Sequence, residues 1–159
     1  MRRVLYFALA FVIVASAGVL YVRTAPSDPS DWHIDPMAAE RTGRPNDFMV
    51  RPPGFFGADM ESRIYPLAIG TLSRALDAVA ASEPRVNRLA GNPDQGFITY
   101  VARSRLVGFP DYVSVRVVPS GDGVAFAIWS RARFGYSDRG VNKARVERWI
   151  SGAEQRLGL

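Results

Sequence analysis

The sequence predicts an α+β domain, a four-stranded antiparallel sheet packed by two helices, preceded by an apolar transmembrane helix and a proline-rich tether. Three observations predict it. An uncharged apolar run spans Val4 to Val22. Six prolines punctuate the stretch from Thr24 to Gly57. The remainder alternates in the order helix, four strands, helix. The expected organisation is therefore 1–23 as membrane anchor or signal peptide, 24–57 as extended linker, and 58–159 as the α+β domain.

Nineteen residues from Val4 to Val22 span about 28 Å as a helix, close to the ~30 Å of a bilayer's hydrocarbon core. Ala15-Ser16-Ala17 offers a signal-peptidase-like site. The apolar run continues past it, however, and Tyr21 stands where an interfacial aromatic would. An uncleaved anchor is the preferred reading. Arg2-Arg3 precede the run and a single Arg23 closes it. That bias predicts an N-terminus in the cytoplasm and a domain in the periplasm or outside the cell, on an inner (cytoplasmic) membrane.

In the linker, Pro26, Pro29, Pro36, Pro45, Pro52 and Pro53 forbid a long helix. The Arg44-Pro45-Asn46-Asp47-Phe48 segment favours a turn, because Asx side chains bond nearby backbone groups. Phe48, Phe55 and Phe56 are candidates for plugging the tether onto the domain. His33, the sole histidine, reads as a solvated linker residue.

The first domain helix is expected over 64–82, with Ile69, Leu72, Leu76 and Val79 on one stripe and Glu83-Pro84 as its stop. Strands follow at 85–90, 97–105, 112–118 and 124–133, separated by turn signals. Val113, Val115 and Val117 face the core in this reading, with Ser114 and Arg116 outward. The last helix is expected over 139–157, capped by Asp138 or Ser137, with Val146, Trp149, Ile150, Ala153 and Leu157 as its stripe and Asn142 turned inward. Helices on one face of an antiparallel sheet bury both stripes. A helix-grip-like topology, with the last helix across a curved sheet, is the leading arrangement, and a plain two-layer sandwich is the alternative.

Net charge is +5 from 20 basic and 15 acidic residues, with Lys143 the sole lysine. Three of the arginines flank the apolar run, leaving the rest near +2, too little for a nucleic-acid footprint. The chain has no cysteine, which excludes disulfides, thiolate metal sites and a cysteine nucleophile. A Ser-His-Asp triad has no histidine in the domain to use. Neither a phosphate loop nor a carboxylate pair for hydrolysis is recognisable. No catalytic residue, metal ligand or cofactor is assigned, and an enzyme is the least favoured class.

The densest chemistry lies in Trp129–Ile150, which holds six basic residues against Asp138 and Glu147. Residues two apart on a strand share a face. Arg131 and Arg133 are thereby paired, as are Arg103 and Arg105, and the four converge if their strands are neighbours. Trp129 is in phase to stack on Arg131. Asp111 and Asp138 are candidate counter-ions. Two readings stand open: a structural Arg/Asp network, or a positive cleft aided by the last helix's N-terminus.

The segments Arg44–Phe48, VARSRLVGFPDYVSVRV at 101–117 and SRARFGYSDRGVNKARVERWI at 130–150 resemble the bacterial family known as domain of unknown function 1499. The resemblance covers roughly 44–157. The family pattern falls here on Arg103, Arg105, Phe109, Pro110, Asp111, Ser130, Arg131, Arg133, Gly135, Ser137, Asp138, Gly140, Asn142 and Arg145. Many relatives carry Pro-Asn-Cys where this chain has Pro45-Asn46-Asp47. The resemblance nominates residues but implies no reaction. The candidate binding residues are Arg103, Arg105, Asp111, Arg131, Arg133, Asp138, Asn142 and Arg145. The expected partners are the membrane through residues 4–22 and an anionic small molecule, a lipid headgroup or an envelope protein. The expected role is a binding or accessory module of the cell envelope, with a purely structural or assembly role as the alternative.

Overall fold

The computed structural model describes residues 2–41 and 43–159. Met1 and Thr42, within the expected anchor and tether, lie outside the described residues. An apolar helix α1 (Arg2–Thr24) comes first, and none of its residues is buried. It is long and apolar enough to cross a membrane. A short turn of helix, α2 (Pro29–Trp32), follows, capped by the Asp28 carboxylate on the Ser30 N–H.

The sheet has six strands, not the four expected. They are β1 (Asp47–Arg51), β2 (Met60–Glu61), β3 (Val86–Asn92), β4 (Phe97–Arg103), β5 (Pro110–Ser120) and β6 (Gly123–Ala132). Their order is β2-β1-β6-β5-β4-β3. The four expected strands form an antiparallel meander, β3 to β6. The additional pair comes from either side of the 57/58 boundary. β1 runs antiparallel along the free edge of β6, and β2 runs parallel to β1. Five residues between Pro45 and Pro52 make a short strand that the flanking prolines disguise as tether, yet Phe48, Met49 and Val50 are all buried.

Both long helices, α3 (Ile69–Ser82) and α4 (Val141–Leu157), pack on one face of the sheet. Leu72, Leu76 and Val79 of α3 meet Val146, Trp149 and Ala153 of α4 over Ile98, Tyr100, Val113, Val115, Val117, Phe126 and Ile128. The stripes are those the sequence predicts. The helix starts are not. Residues 64–68 form an approach in which Tyr65 bridges Val124 through both backbone bonds, at 2.8 and 2.9 Å. That approach requires Gly123, since a Cβ there would stand 2.2 Å from the Tyr65 carbonyl oxygen. At α4, Arg139 (φ 54°) and Gly140 (φ 81°) adopt left-handed backbone, so the helix begins two residues later than its sequence suggests.

The other face of the sheet is covered too. Residues 25–39 lie across it as a strap. The Trp32 ring stacks on Tyr112 at 3.8 Å, and the His33 ring stacks on Phe97 at 3.8 Å. Ser27 shares a hydrogen bond with the Tyr112 hydroxyl (2.9 Å), and His33 Nδ1 shares one with Thr99 Oγ1 (2.8 Å). Arg51 on β1 donates to the carbonyls of Pro36 and Ala39. The tether is therefore a second layer, and His33 is a packed residue and not a solvated one. Phe48 is buried in the core, whereas Phe55 and Phe56 remain exposed. Ser114, expected outward, does point away from the helices but is fully buried beneath the strap.

Candidate functional site

The candidate residues do not form one cluster: some lie on each face of the sheet, and Arg105 lies off it. β5 lies between β4 and β6, so the Arg103/Arg105 pair and the Arg131/Arg133 pair do not meet. Arg103 turns back to the Gly108 carbonyl (3.1 Å), and Arg105 is exposed on the connection after β4.

On the helix face, Asp111, Asn142 and Arg145 meet beneath α4. Arg145 Nη2 donates to Asp111 Oδ2 at 2.8 Å, with side chains 8% and 12% exposed. Arg145 Nη1 reaches Asn142 Oδ1 (2.5 Å) and Ser130 Oγ (3.1 Å). Asn142 Nδ2 donates to the Asn46 carbonyl at 3.0 Å, and Asn46 Nδ2 donates to the Gly135 carbonyl at 2.9 Å. Ser130 Oγ donates to Asn142 Oδ1 at 2.6 Å. Burial raises the Asp111 carboxyl above the usual carboxylate value, against the opposing pull of Arg145. The network ties β1, β5, β6 and α4 together, and each of its side chains makes at least one hydrogen bond inside the protein. Asn142 is inward because it lies one turn before Val146 on the buried stripe.

Asp138 is part of the same corner but does not pair with an arginine. Its carboxylate accepts from the Gly140 N–H (2.9 Å) and the Asn142 N–H (2.8 Å). The N-terminus of α4, which the sequence offered as an aid to anion binding, is thus already occupied by the chain's own carboxylate.

On the strap face the arrangement is open. Arg131 is 5% exposed, and no carboxylate lies within ion-pair distance of it among the described residues. Its guanidinium sits 4.1 Å over the Trp129 ring and 5.8 Å from the centre of the Trp32 ring. It donates to the Trp32 carbonyl (2.7 Å), to Ser114 Oγ (3.2 Å) and, weakly, to the Trp129 carbonyl (3.4 Å). Its buried Nε has no partner. The acid that acts on it through space, Asp47, is already engaged: it accepts from both Nε and Nη2 of Arg41 and from the indole N–H of Trp129. Burial consequently pushes the Arg131 guanidinium down to about 10, though it remains charged at neutral pH. Arg133 stands beside it, donating to the Pro26 carbonyl (2.6 Å) and the Tyr112 hydroxyl (3.3 Å).

Trp32, Ile34, Asp47, Trp129, Arg131 and Arg133 are among the residues that line a cleft of about 220 Å³ between the strap and the β1/β6 end of the sheet. An isolated buried charge is costly, and aromatic faces offset only part of that cost. The cleft therefore presents a desolvated cation, a second arginine at its edge, and an Asp47 carboxylate already neutralised by Arg41. A phosphate or carboxylate group matches that arrangement in size and charge.

Sequence reasoning found the arginines and Trp129 but missed the strap residues that enclose them. The signal was present in β6. Val124-Ala125-Phe126-Ala127-Ile128-Trp129 is an unbroken apolar run, the mark of a strand covered on both faces.

The family model described as a protein of unknown function (DUF1499) matches residues 22–152. The chain belongs to the DUF1499 family. The match begins at the end of α1 and takes in the strap and β1, so the DUF1499 pattern covers both layers on the sheet and not the meander alone. No curated protein and no solved structure matches the chain.

Proposed function

We propose that this DUF1499 protein is a membrane-anchored, periplasm-facing accessory module that binds a small anionic group, a phosphate or carboxylate, in the cleft beneath its strap. The observation that carries this reading is Arg131. It is a buried guanidinium without a carboxylate partner among the described residues, and with a second arginine it lines the cleft. Arg131 holds the anion, Arg133 gates its edge, and Trp32 and Trp129 keep the site dry. The anchor reading is supported by the length and apolarity of α1, and the orientation by the Arg2-Arg3 pair ahead of it. The structural alternative describes the other half of the motif well, because Asp111, Asn142 and Arg145 form a closed network.

Isothermal titration of the full chain in neutral detergent with inorganic phosphate, and separately with succinate, tests the reading. Saturable binding is expected, at least about tenfold weaker in Arg133→Gln, the loss of roughly one charge-assisted hydrogen bond. No heat with either anion, or equal affinity in the variant, contradicts it.

A further inference from the structure

The end of α1 is fastened to the domain at one place. Arg23 donates from Nη2 to the Leu106 carbonyl (2.8 Å) and from Nε to the Val107 carbonyl (3.1 Å). Tyr21 meets Phe134 edge-on at 6.2 Å, and Phe134 in turn meets Phe109 at 6.1 Å. The 104–109 connection is held in a fixed shape. Ser104 Oγ accepts from the N–H groups of Gly108 and Phe109, and the Ser104 N–H donates to the Phe109 carbonyl. At its tip Leu106 is 82% exposed, with Phe109 and Tyr21 also open to solvent. An ordered loop that holds a leucine out beside two aromatics is not the scatter of single apolar residues expected on any surface.

We infer that this tip lies in the bilayer interface, so that Leu106, Phe109, Phe134 and Tyr21 form one lipid-contacting patch around the root of α1. The occupant follows from continuity. If α1 spans the hydrocarbon, Tyr21 and Arg23 stand at headgroup level, and the loop whose carbonyls Arg23 grips stands there with them. The headgroup layer is roughly 5–7 Å deep on each side. Aromatic rings and an arginine are the residues that favour this layer. The consequence reaches the cleft. Arg133 shares the Pro26 carbonyl and the face of Phe134 with this end of the molecule, so the anion site stands next to the lipid phosphates. The inference rests on the anchor reading but not on anion affinity.

The chain has no cysteine, so single labels are specific. Leu106→Cys, Asp122→Cys in the β5–β6 turn at the far end of the sheet, and Val12→Cys within α1 each receive one environment-sensitive fluorophore. The labelled full chains are reconstituted into phosphatidylcholine–phosphatidylglycerol vesicles carrying lipids spin-labelled at the headgroup or mid-chain. The label at 106 is expected to be quenched several-fold more than that at 122, most by the headgroup probe, with the label at 12 quenched most by the mid-chain probe. Equal, weak quenching at 106 and 122 with strong quenching at 12 overturns the patch and leaves the anchor standing. Absence of quenching at 12 overturns the anchor and the patch with it. A label at 106 shielded from water but untouched by spin-labelled lipid reports a protein partner or a second copy, and also overturns the inference.

Discussion

The Arg145 guanidinium meets the Asp111 carboxylate at 2.8 Å beneath α4, and its other terminal nitrogen donates to Ser130 and Asn142. Breaking such a buried pair by removing one partner costs about 3–5 kcal/mol, because the remaining group is left uncompensated. Asp111→Ala is therefore expected to lower stability by that order in urea unfolding. Asp111→Asn, which keeps an acceptor for Arg145, is expected to cost clearly less. Equal losses in the two variants contradict the assignment of a hydrogen-bonded structural pair.

The strap yields a second expectation. Trp32 covers Tyr112 at 3.8 Å and its carbonyl accepts from Arg131, so Trp32→Ala removes a stacked ring and opens the cleft. Ring pairs contribute about 0.5–1.5 kcal/mol beyond their area. The variant should lose about 1–3 kcal/mol in total, within the range of a partly buried large-to-small change. Limited proteolysis should then cut within residues 25–39 first, while the sheet resists. Cleavage elsewhere first contradicts the layer assignment.

His33 makes the strap sensitive to pH. Burial against Phe97 lowers its pKa below the usual histidine value, Arg116 lowers it further, and Asp35 opposes. A histidine with a depressed folded-state pKa binds its proton more readily in the unfolded chain. Its stabilising contribution is therefore full above the unfolded value near 6.5 and is lost as pH falls through the folded one. The slope of stability against pH between about 5 and 7 should flatten in His33→Gln. An unchanged slope in that variant contradicts the role.

The domain limits can be read from the same contacts. A fragment of residues 58–159 lacks β1 and the strap, which exposes the β6 edge and the Tyr112–Arg131 face. Unpaired edges of this kind aggregate. Fragment 58–159 should be insoluble, and 24–159 soluble and cooperative in thermal unfolding. A soluble, cooperatively folding 58–159 contradicts the assignment of the strap and β1 to the fold.

The legible half of this protein is the half governed by period. The stripes of α3 and α4, the meander and the inward Asn142 all follow from 3.6- and 2-residue repeats. What escaped was whatever lacks a period. β1 is too short and too closely bracketed by prolines to alternate visibly, and a strap is irregular by nature. Its anchors, Trp32 and His33, are single aromatics in a Pro- and Asp-rich stretch, where composition argues for solvent. The site divided in the same way. The Arg-x-Arg phase on β6 correctly put Arg131 and Arg133 on one face. The sheet order that separates them from Arg103, and the helical turn that sends Arg145 to the opposite face, are properties of topology that no local pattern carries.

The most direct test compares the melting of the wild type, Arg131→Met and Arg145→Met with and without saturating inorganic phosphate. Bound ligand stabilises by RT ln(1 + [L]/Kd), about 2.7 kcal/mol at a hundredfold excess over Kd. The wild type is expected to melt higher with phosphate. Arg145→Met should start from a markedly lower Tm yet keep the phosphate-dependent rise. Arg131→Met should start closer to the wild type and show no rise. A phosphate-dependent rise in Arg131→Met equal to that of the wild type would contradict the account.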